Sequence, residues 1–204
     1  MGDGFKSVAT VHLNRFDRKR EKTRVDLLAA AERVISQKGY HRTRIADIAA
    51  EADVGLGTFY FHFKTKNEIF IELIERGASE LRDQIDEAKA GVEDPRRKLE
   101  ITIHTILDAA ADKPELFRIV FGHGPAFLDL MVRVHEMFIE NLRRDLEPTL
   151  GASAEAVANL TIGMLSQAVT WLLQHTSLAL DELKELTVNF ALGGLERAVA
   201  RAER

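Results

Sequence analysis

The sequence predicts an all-α fold, in which a small N-terminal three-helix unit precedes a larger helical body. Apolar residues recur at helical spacing nearly everywhere after residue 22. Only four prolines occur in 204 residues. No internal repeat of about 34 residues is visible, which disfavours a helical solenoid.

Composition narrows the class of protein. A hydrophobic content of 46% indicates a globular chain. The absence of cysteine excludes disulfides, thiolate nucleophiles and cysteine-ligated zinc. No uninterrupted apolar run approaches the roughly 20 residues of a membrane span, and the N-terminus lacks the compact apolar segment of a signal peptide. We therefore expect a cytoplasmic protein with no membrane partner.

Charge is distributed unevenly along the chain. Residues 1–66 contain 13 Lys/Arg and 8 Asp/Glu, a net of +5, whereas residues 67–204 contain 15 and 24, a net of −9; together they give the overall −4. A basic end on an acidic body suits a protein that meets phosphate at one end only. A solvated charged arm would give the same count.

The first helix has an apolar stripe formed by Leu27, Leu28, Ala31, Val34 and Ile35, and Gly39 offers its stop. Thr23 and Asp26 resemble a capping box at its start, although the charged run before them could extend the helix upstream. We assign residues 1–22 to a basic arm. Its cations, continued by Arg24, could track phosphates or belong to a solvated tail: Arg15, Arg18, Lys19, Arg20 and Lys22.

Two short helices follow. Thr43 is the expected N-cap of the first, which breaks at Asp53-Val54-Gly55, and the second runs from about Leu56 to His62. Two short helices joined by a tight turn form the pattern of a helix-turn-helix.

The body is predicted to contain six further helices. A capping box at Thr65–Glu68 opens the first, which runs to Gly91, and Asp94-Pro95 opens the second. The third begins near Lys113 and ends at the breaker formed by residues 122–125. The fourth spans about 127–146 and is closed by Pro148 and Gly151.

The last two helices are expected from Ser153 to about His175 and from about 181 to 202. The first is apolar on more than one face, which suits either a buried central helix of a monomer or a four-helix bundle formed with a second copy. We predict the bundle. Its expected interface residues are Leu165, Ala168, Leu172, Phe190 and Gly194.

One segment is specific enough to suggest a family. Ile48-Ala49, the run VGLGTFYFHF at 54–63 and then Lys66 resemble the signature of the TetR (tetracycline-repressor) family, over about residues 24–75. The resemblance implies a helix-turn-helix DNA-binding domain at 23–66 and a helical effector-binding and dimerisation domain at 67–204. It also implies a homodimeric transcriptional regulator, expected to be a repressor that a small hydrophobic effector releases from operator DNA.

Several residues are predicted to contact DNA. Thr58, Tyr60, His62 and Lys66 carry donors that can grip phosphates, although Tyr60 and His62 could instead pack with their polar tips satisfied locally. Phenylalanines alternate with these residues, so some must face the core. Other contacts are expected from Thr43, Arg44, Gly55 and Leu56.

Base readout is the less determined part of this prediction. The resemblance places base-reading positions at Arg44, Ala46, Gly55, Leu56 and Thr58. Ala46 stands where family members often have an arginine. Arg44 is therefore either a guanine reader or a phosphate clamp.

The effector pocket implied by the resemblance would be lined by large adaptable side chains, although such a set is also typical of plain core. The predicted lining residues are Ile103, Leu107, Phe117, Phe121, Phe127, Met131, Met164, Gln167 and Trp171. His104 and His123 are further polar residues that could orient a ligand.

Glu100, His104 and Asp108 share one helix face at a spacing compatible with metal ligands, but the solvated face of an amphipathic helix explains them better. We expect neither a metal nor a cofactor. No nucleophile-elbow, phosphate-loop or HExxH pattern is present, so no enzymatic activity is predicted. The alternative is a helical ligand-binding or enzymatic bundle that does not bind DNA.

Overall fold

The computed structural model describes residues 15–122 and 127–202, which form nine α-helices and no strand, so the all-α prediction is confirmed. The helices are α1 Arg15–Arg42, α2 Ile45–Glu51, α3 Leu56–His62, α4 Lys66–Ala88, α5 Pro95–Asp112, α6 Pro114–Gly122, α7 Leu128–Leu150, α8 Ala154–Gln174 and α9 Leu180–Ala202. A 3-10 turn, Gly151–Ser153, joins α7 to α8. Residues 1–14 of the predicted arm, and His123, lie outside the described residues.

Helix α1 begins upstream of the predicted capping box. The Thr23 hydroxyl donates to the carbonyl of Lys19 within the helix, so Thr23 is not an N-cap. The charged run before it is rich in good helix formers, which continue the helix, and the predicted boundary at residue 22 falls inside α1. Gly39 adopts φ +72°, where a side chain would be strained, and interrupts the helical conformation as predicted.

The short helix α2 is capped differently from the prediction, whereas α3 spans the predicted residues. Arg44, not Thr43, is the N-cap of α2, and its backbone N–H donates to the Asp47 carboxylate at 3.0 Å. The predicted Thr43 cap is wrong because its hydroxyl donates to the Gly39 carbonyl at 2.9 Å, which ties it to the end of α1. Gly55 is the N-cap of α3.

The predicted starts of α4 and α5 are confirmed. The Thr65 hydroxyl accepts from the backbone N–H of Glu68, and Asp94 accepts from that of Arg96 with Pro95 in the first turn. In a capping box the Glu68 carboxylate would accept from the backbone N–H of the N-cap, Thr65. Here it accepts from the backbone N–H of the preceding residue, Lys64, at 2.6 Å. These caps satisfy donors that the first turn of a helix leaves free.

Helix α7 runs farther than predicted. Pro148 lies inside its last turn, where it forfeits one helical hydrogen bond without ending the helix. The chain leaves the helix at Gly151, whose φ is +50°. By length and composition alone, the stretch Leu128–Gln174 could contain a membrane span. In the structure it is divided between α7 and α8, both of which pack in the body core, so we interpret it as core helix.

Two hydrophobic cores organise the chain. The first, the head core, joins α1, α2, α3 and the N-terminal half of α4, which together we call the head. It includes Leu27, Phe59 and Phe70. The body core joins the C-terminal half of α4 to α5, α7, α8 and α9. Ile119 of α6 and Leu130 of α7 belong to the head core, so the body reaches directly beneath the helix-turn-helix.

Candidate nucleic-acid interface and ligand cavity

The outward face of α3 consists of Leu56, Tyr60 and Phe61, whose exposed fractions are 50%, 47% and 60%. Leu56 and Tyr60, four positions apart, lie on the same side of the helix, and Phe61 extends the exposed face next to Tyr60. Phe59 and Phe63 are fully buried and hold α3 against the head core. The aromatic residues therefore follow a helical period rather than the simple alternation seen in the sequence.

Three more of the predicted contact residues lie at the starts of the short helices. Arg44 and Gly55, the N-caps of α2 and α3, are both exposed, and Thr58 is half-buried. Thr43 differs, because its side chain is buried and its hydroxyl is already bonded to Gly39. Its side chain is therefore turned away from solvent.

His62 also faces inward. It is 8% exposed, and its Nδ1 has no hydrogen-bond partner among the described residues. Burial lowers the pKa of His62 below its ordinary value, and the nearby Arg24 and Arg20 lower it further. The ring is thus disposed to remain neutral and packed. Its backbone carbonyl, rather than its ring, carries a polar contact, from Arg24.

The ammonium of Lys66 is engaged within the head. Its Nζ donates to the carbonyls of Tyr40 at 3.0 Å and Thr43 at 3.2 Å, and lies 4.2 Å from the centre of the Tyr40 ring. Partial burial lowers the pKa of Lys66. The ammonium is thus satisfied by two backbone carbonyls and by the face of the Tyr40 ring. Lys66 therefore ties the turn between α1 and α2 to the start of α4.

Sequence reasoning assigned Arg20 and Arg24 to a basic arm, but in the structure both side chains pack against α3 and the residue that follows it. Arg24 forms a two-point pair with the Glu72 carboxylate, donates to the His62 carbonyl at 3.1 Å and lies 4.5 Å above the Phe63 ring. Arg20, one turn earlier on α1, lies 5.0 Å above the exposed ring of Phe61. Their spacing of four residues was the available signal, because it places both on one face of a helix.

A cavity of about 90 Å³ lies in the body beneath the head. It is bounded by α4, α5, α6, α7 and α8, and its lining includes Phe117, Phe121, Phe138, His135 and Ser166. Of the predicted pocket residues, Phe117 and Phe121 line it. Sequence reasoning missed His135 and Ser166. It predicted the helices that contain them, α7 and α8, but no local pattern shows that the two side chains meet.

The other predicted pocket residues lie elsewhere. Ile103 and Leu107 are buried in the body core, and Phe127 belongs to the head core, where its ring meets Tyr40 edge-on at 5.5 Å. Met131 and Met164 are half-buried away from the cavity, Gln167 is exposed, and Trp171 stacks on His175. Their apolar character correctly predicted that most of these residues are packed. The position of each residue along its helix determines whether it lines the cavity.

The predicted interface residues divide into two groups. Leu165 is 2% exposed and lines the cavity, so it faces its own chain and cannot contact a second copy. Ala168 and Leu172 are half-buried against the body core. Phe190 is 77% exposed and Gly194 is exposed, and two leucines not predicted from the sequence, Leu160 and Leu186, are also exposed on α8 and α9.

The acidic residues near His104 have local partners. Glu100 accepts from Arg97 at 2.6 Å, and Asp108 pairs with Lys184 of α9. Across residues 15–122 and 127–202 no three potential ligands converge on one point. A solvated, ion-paired helix face describes this part of α5.

Known proteins resemble the chain at the head and across the whole fold. Residues 27–73 match the family model for bacterial regulatory proteins of the tetR family. The HTH-type transcriptional activator FasR of Mycolicibacterium smegmatis is 24% identical over 184 residues, covering 86% of this chain and 84% of that protein.

Solved structures share the fold. The transcriptional regulator FadR of Bacillus subtilis, in complex with stearoyl-CoA, superposes with a TM-score of 0.71 at 20% identity, covering 83% of this chain and 98% of that one. FadR of Bacillus halodurans gives 0.72 at 22% identity, covering 85% and 96%. The segment 27–73 contains both short helices of the helix-turn-helix, and the structural similarity extends over the body as well. Residues 27–73 therefore form a helix-turn-helix of the type found in bacterial regulatory proteins of the tetR family, and the chain as a whole shares its fold with solved bacterial transcriptional regulators.

Proposed function

We propose that this protein is a cytoplasmic homodimeric repressor that binds operator DNA through α3 and releases it when an apolar effector enters the body cavity. The observation that carries the proposal is the division of α3 into a buried side and an outward face. Phe59 and Phe63 fix the helix, while Leu56, Tyr60 and Phe61 remain exposed. A short, rigidly backed helix with an exposed face is what entry into a major groove requires.

Side chains around α3 would supply both kinds of DNA contact. Tyr60 and Lys64 are both exposed, and the hydroxyl of one and the ammonium of the other suit phosphate; the Lys64 ammonium also donates to the Tyr60 carbonyl at 3.0 Å. Arg44, exposed at the start of α2, can reach a base edge or a phosphate, and Leu56 can meet a thymine methyl. Thr43, His62 and Lys66 would act by holding these residues in place, because their own polar groups are buried or engaged within the head.

A second copy would cover the exposed apolar side chains of α8 and α9. Leu160, Leu186 and Phe190 are 75%, 56% and 77% exposed, which is unusual for three large apolar residues on neighbouring helices of one soluble chain. Exposed Gly193 and Gly194 on α9 would allow close approach of a partner helix. A two-fold dimer would present two α3 helices to a near-palindromic operator.

Helix α6 lies between the cavity and the head. Phe117 and Phe121 line the cavity, whereas Ile119, on another side of the same helix, is fully buried in the head core. Lys113, just before α6, pairs with Glu32 of α1 at 2.6 Å. An effector that enlarges the cavity would thus displace a helix on which the head rests, and would favour a second arrangement of the two heads.

The effector would be predominantly apolar. The cavity walls are almost entirely hydrocarbon, and the related FadR structure contains stearoyl-CoA. A volume of about 90 Å³ is below the roughly 150 Å³ that holds benzene in an engineered protein cavity, so binding a larger molecule requires the walls to move. That requirement links occupancy to the position of α6.

A gel-shift titration tests the DNA-binding part. The full-length protein is titrated against DNA flanking its own gene and against a scrambled duplex of equal length, at about 50 and 200 mM salt. We expect a salt-sensitive preference for the flanking DNA, which Leu56→Ala reduces. Leu128→Ala, which truncates an equally exposed leucine on α7, is the control and should leave the preference unchanged. A wild-type protein with no preference would contradict the proposal.

In vitro transcription from the same flanking DNA tests repression. Added protein should reduce transcript from the promoter that overlaps the bound site, because it occupies the position of the polymerase. An increase in transcript would show that the protein activates instead.

A further inference from the structure

The cavity contains one polar feature in an apolar wall. Of its fifteen lining residues, thirteen are apolar and two, His135 of α7 and Ser166 of α8, are polar. The two are joined by a hydrogen bond of 2.9 Å between His135 Nε2 and Ser166 Oγ. No lining residue is an acid, a lysine or an arginine, so an ionic group drawn into the cavity would find no opposite charge.

Hydrogen bonding determines which ring nitrogen of His135 carries the proton. The Ser166 hydroxyl lies 2.8 Å from the Ile162 carbonyl and donates its single proton there. Ser166 Oγ is then an acceptor toward His135, so Nε2 must be the protonated nitrogen. Burial also lowers the pKa of His135, which keeps the ring neutral.

This assignment leaves Nδ1 of His135 as a hydrogen-bond acceptor. No group in the described ranges donates to it, and the ring lines the cavity. An acceptor beside an apolar void is matched by a ligand with one hydrogen-bond donor and an apolar remainder. A ligand offering only a carbonyl or an ether oxygen would place two acceptors against each other.

We propose that the cavity recognises an uncharged hydroxyl compound, which donates its O–H to His135 Nδ1 and packs its apolar part against Phe117 and Phe121. The inference rests on the proposed function, since it takes this cavity to be the effector site. Ser166 is a positioning residue in this arrangement, because it holds the tautomer of His135.

Matched probes test the proposal by calorimetric titration of the full-length protein. 4-Ethylphenol is compared with 4-ethyltoluene, in which a methyl replaces the hydroxyl, and with acetophenone, which only accepts. Hexan-1-ol and heptane repeat the comparison for an aliphatic ligand. We expect the hydroxyl member of each series to bind about tenfold more tightly than its partners, as the loss of one buried hydrogen bond implies.

Variants assign the preference to the pair. His135→Phe should abolish the tenfold difference while retaining binding of 4-ethyltoluene, and Ser166→Ala should reduce it. His104→Phe, which changes an exposed histidine of α5 outside the cavity, is the control and should keep the full difference. If His135→Phe fails to fold, the ¹⁵N shifts of wild-type His135 replace it, since a protonated Nδ1 would overturn the assignment.

The outcomes separate this inference from the proposed function. Equal binding of 4-ethylphenol and 4-ethyltoluene by the wild type would overturn hydroxyl recognition and leave the cavity as an apolar effector site. Tighter binding of acetophenone would overturn it by showing a donor instead of an acceptor. If no probe binds and none changes affinity for operator DNA, both the inference and the effector role of the cavity fail.

Discussion

Replacing Lys66 by methionine tests whether this lysine works inside the head rather than on DNA. The substitution removes two charge-assisted hydrogen bonds, to the carbonyls of Tyr40 and Thr43, and the contact with the Tyr40 ring. At a partly exposed site each hydrogen bond is worth about 1 kcal/mol, and the ring contact about 0.5 kcal/mol. Removing the positive charge also removes its unfavourable interaction with the dipole at the start of α4, which offsets about 0.5 kcal/mol of that loss. The free energy of unfolding should therefore fall by about 2 kcal/mol.

The same substitution should weaken DNA binding indirectly. Without Lys66 the turn between α1 and α2 loses its anchor, so the pose of α3 becomes less defined. We expect affinity for flanking and scrambled DNA to fall together, by about tenfold. Urea denaturation measures the stability change, and gel shifts at several salt concentrations measure the affinity. Lys64→Met, which changes an exposed lysine bonded to the Tyr60 carbonyl, is the stability control and should change unfolding by less than about 0.5 kcal/mol.

One pattern of results would refute this reasoning. If Lys66→Met unfolds at the wild-type urea concentration but loses affinity with a salt slope smaller by about 1, the ammonium contacts a phosphate directly. Unchanged stability together with unchanged affinity would also contradict it, because the bonds to Tyr40 and Thr43 would then contribute nothing.

Further predictions concern the dimer, pH and DNA readout. Phe190→Lys should weaken dimerisation by about 100-fold or more, since each of two copies loses an apolar contact, and sedimentation at micromolar concentration would show monomer; an unchanged dimer would place the interface elsewhere. Burial lowers the pKa of His62, so the folded protein binds a proton at this ring less readily than the unfolded chain does. The free energy of unfolding should therefore be highest above about pH 6.5 and should fall as the pH drops toward the folded-state pKa. His135 acts in the same direction, and His62→Asn should lose less stability than wild type between pH 7 and pH 5 in chemical denaturation. Arg44→Ala should alter the preference between DNA sequences in gel shifts, whereas Tyr60→Phe should weaken all of them about equally; equal loss on cognate and scrambled DNA for Arg44→Ala would remove its proposed role in readout.

Local patterns predicted the fold class and most helix ends. The caps at Thr65 and Asp94 and the break at Gly39 were readable because each depends on residues within one helical turn. Thr43 was misjudged as a cap because its hydroxyl is captured by the end of α1, a competing partner that only the folded turn brings close. Pro148 was misjudged as a stop because the helix continues to Leu150, two residues past it, although Pro148 forfeits one helical hydrogen bond.

The candidate DNA surface was predictable in part for the same reason. The run from 54 to 63 is contiguous, so its helix and its family resemblance were visible in the sequence. Which side faces outward was not, because aromatic residues occupy both sides and only packing against α1 and α4 separates Phe61 from Phe59 and Phe63. The arginine pair of α1 acquires its role only when α3 and α4 are packed beside it.

By itself the sequence determined that this is an all-α protein with a helix-turn-helix of the TetR type at its basic end, since periodicity and a contiguous motif are local properties. The tertiary structure alone decided where the body keeps its cavity and which apolar residues it leaves exposed. Leu165 and Leu160 have equal hydropathy on one helix, yet one lines the cavity and the other faces solvent. The reason is physical: hydrophobicity requires that a side chain be covered, while the packing of distant helices determines what covers it.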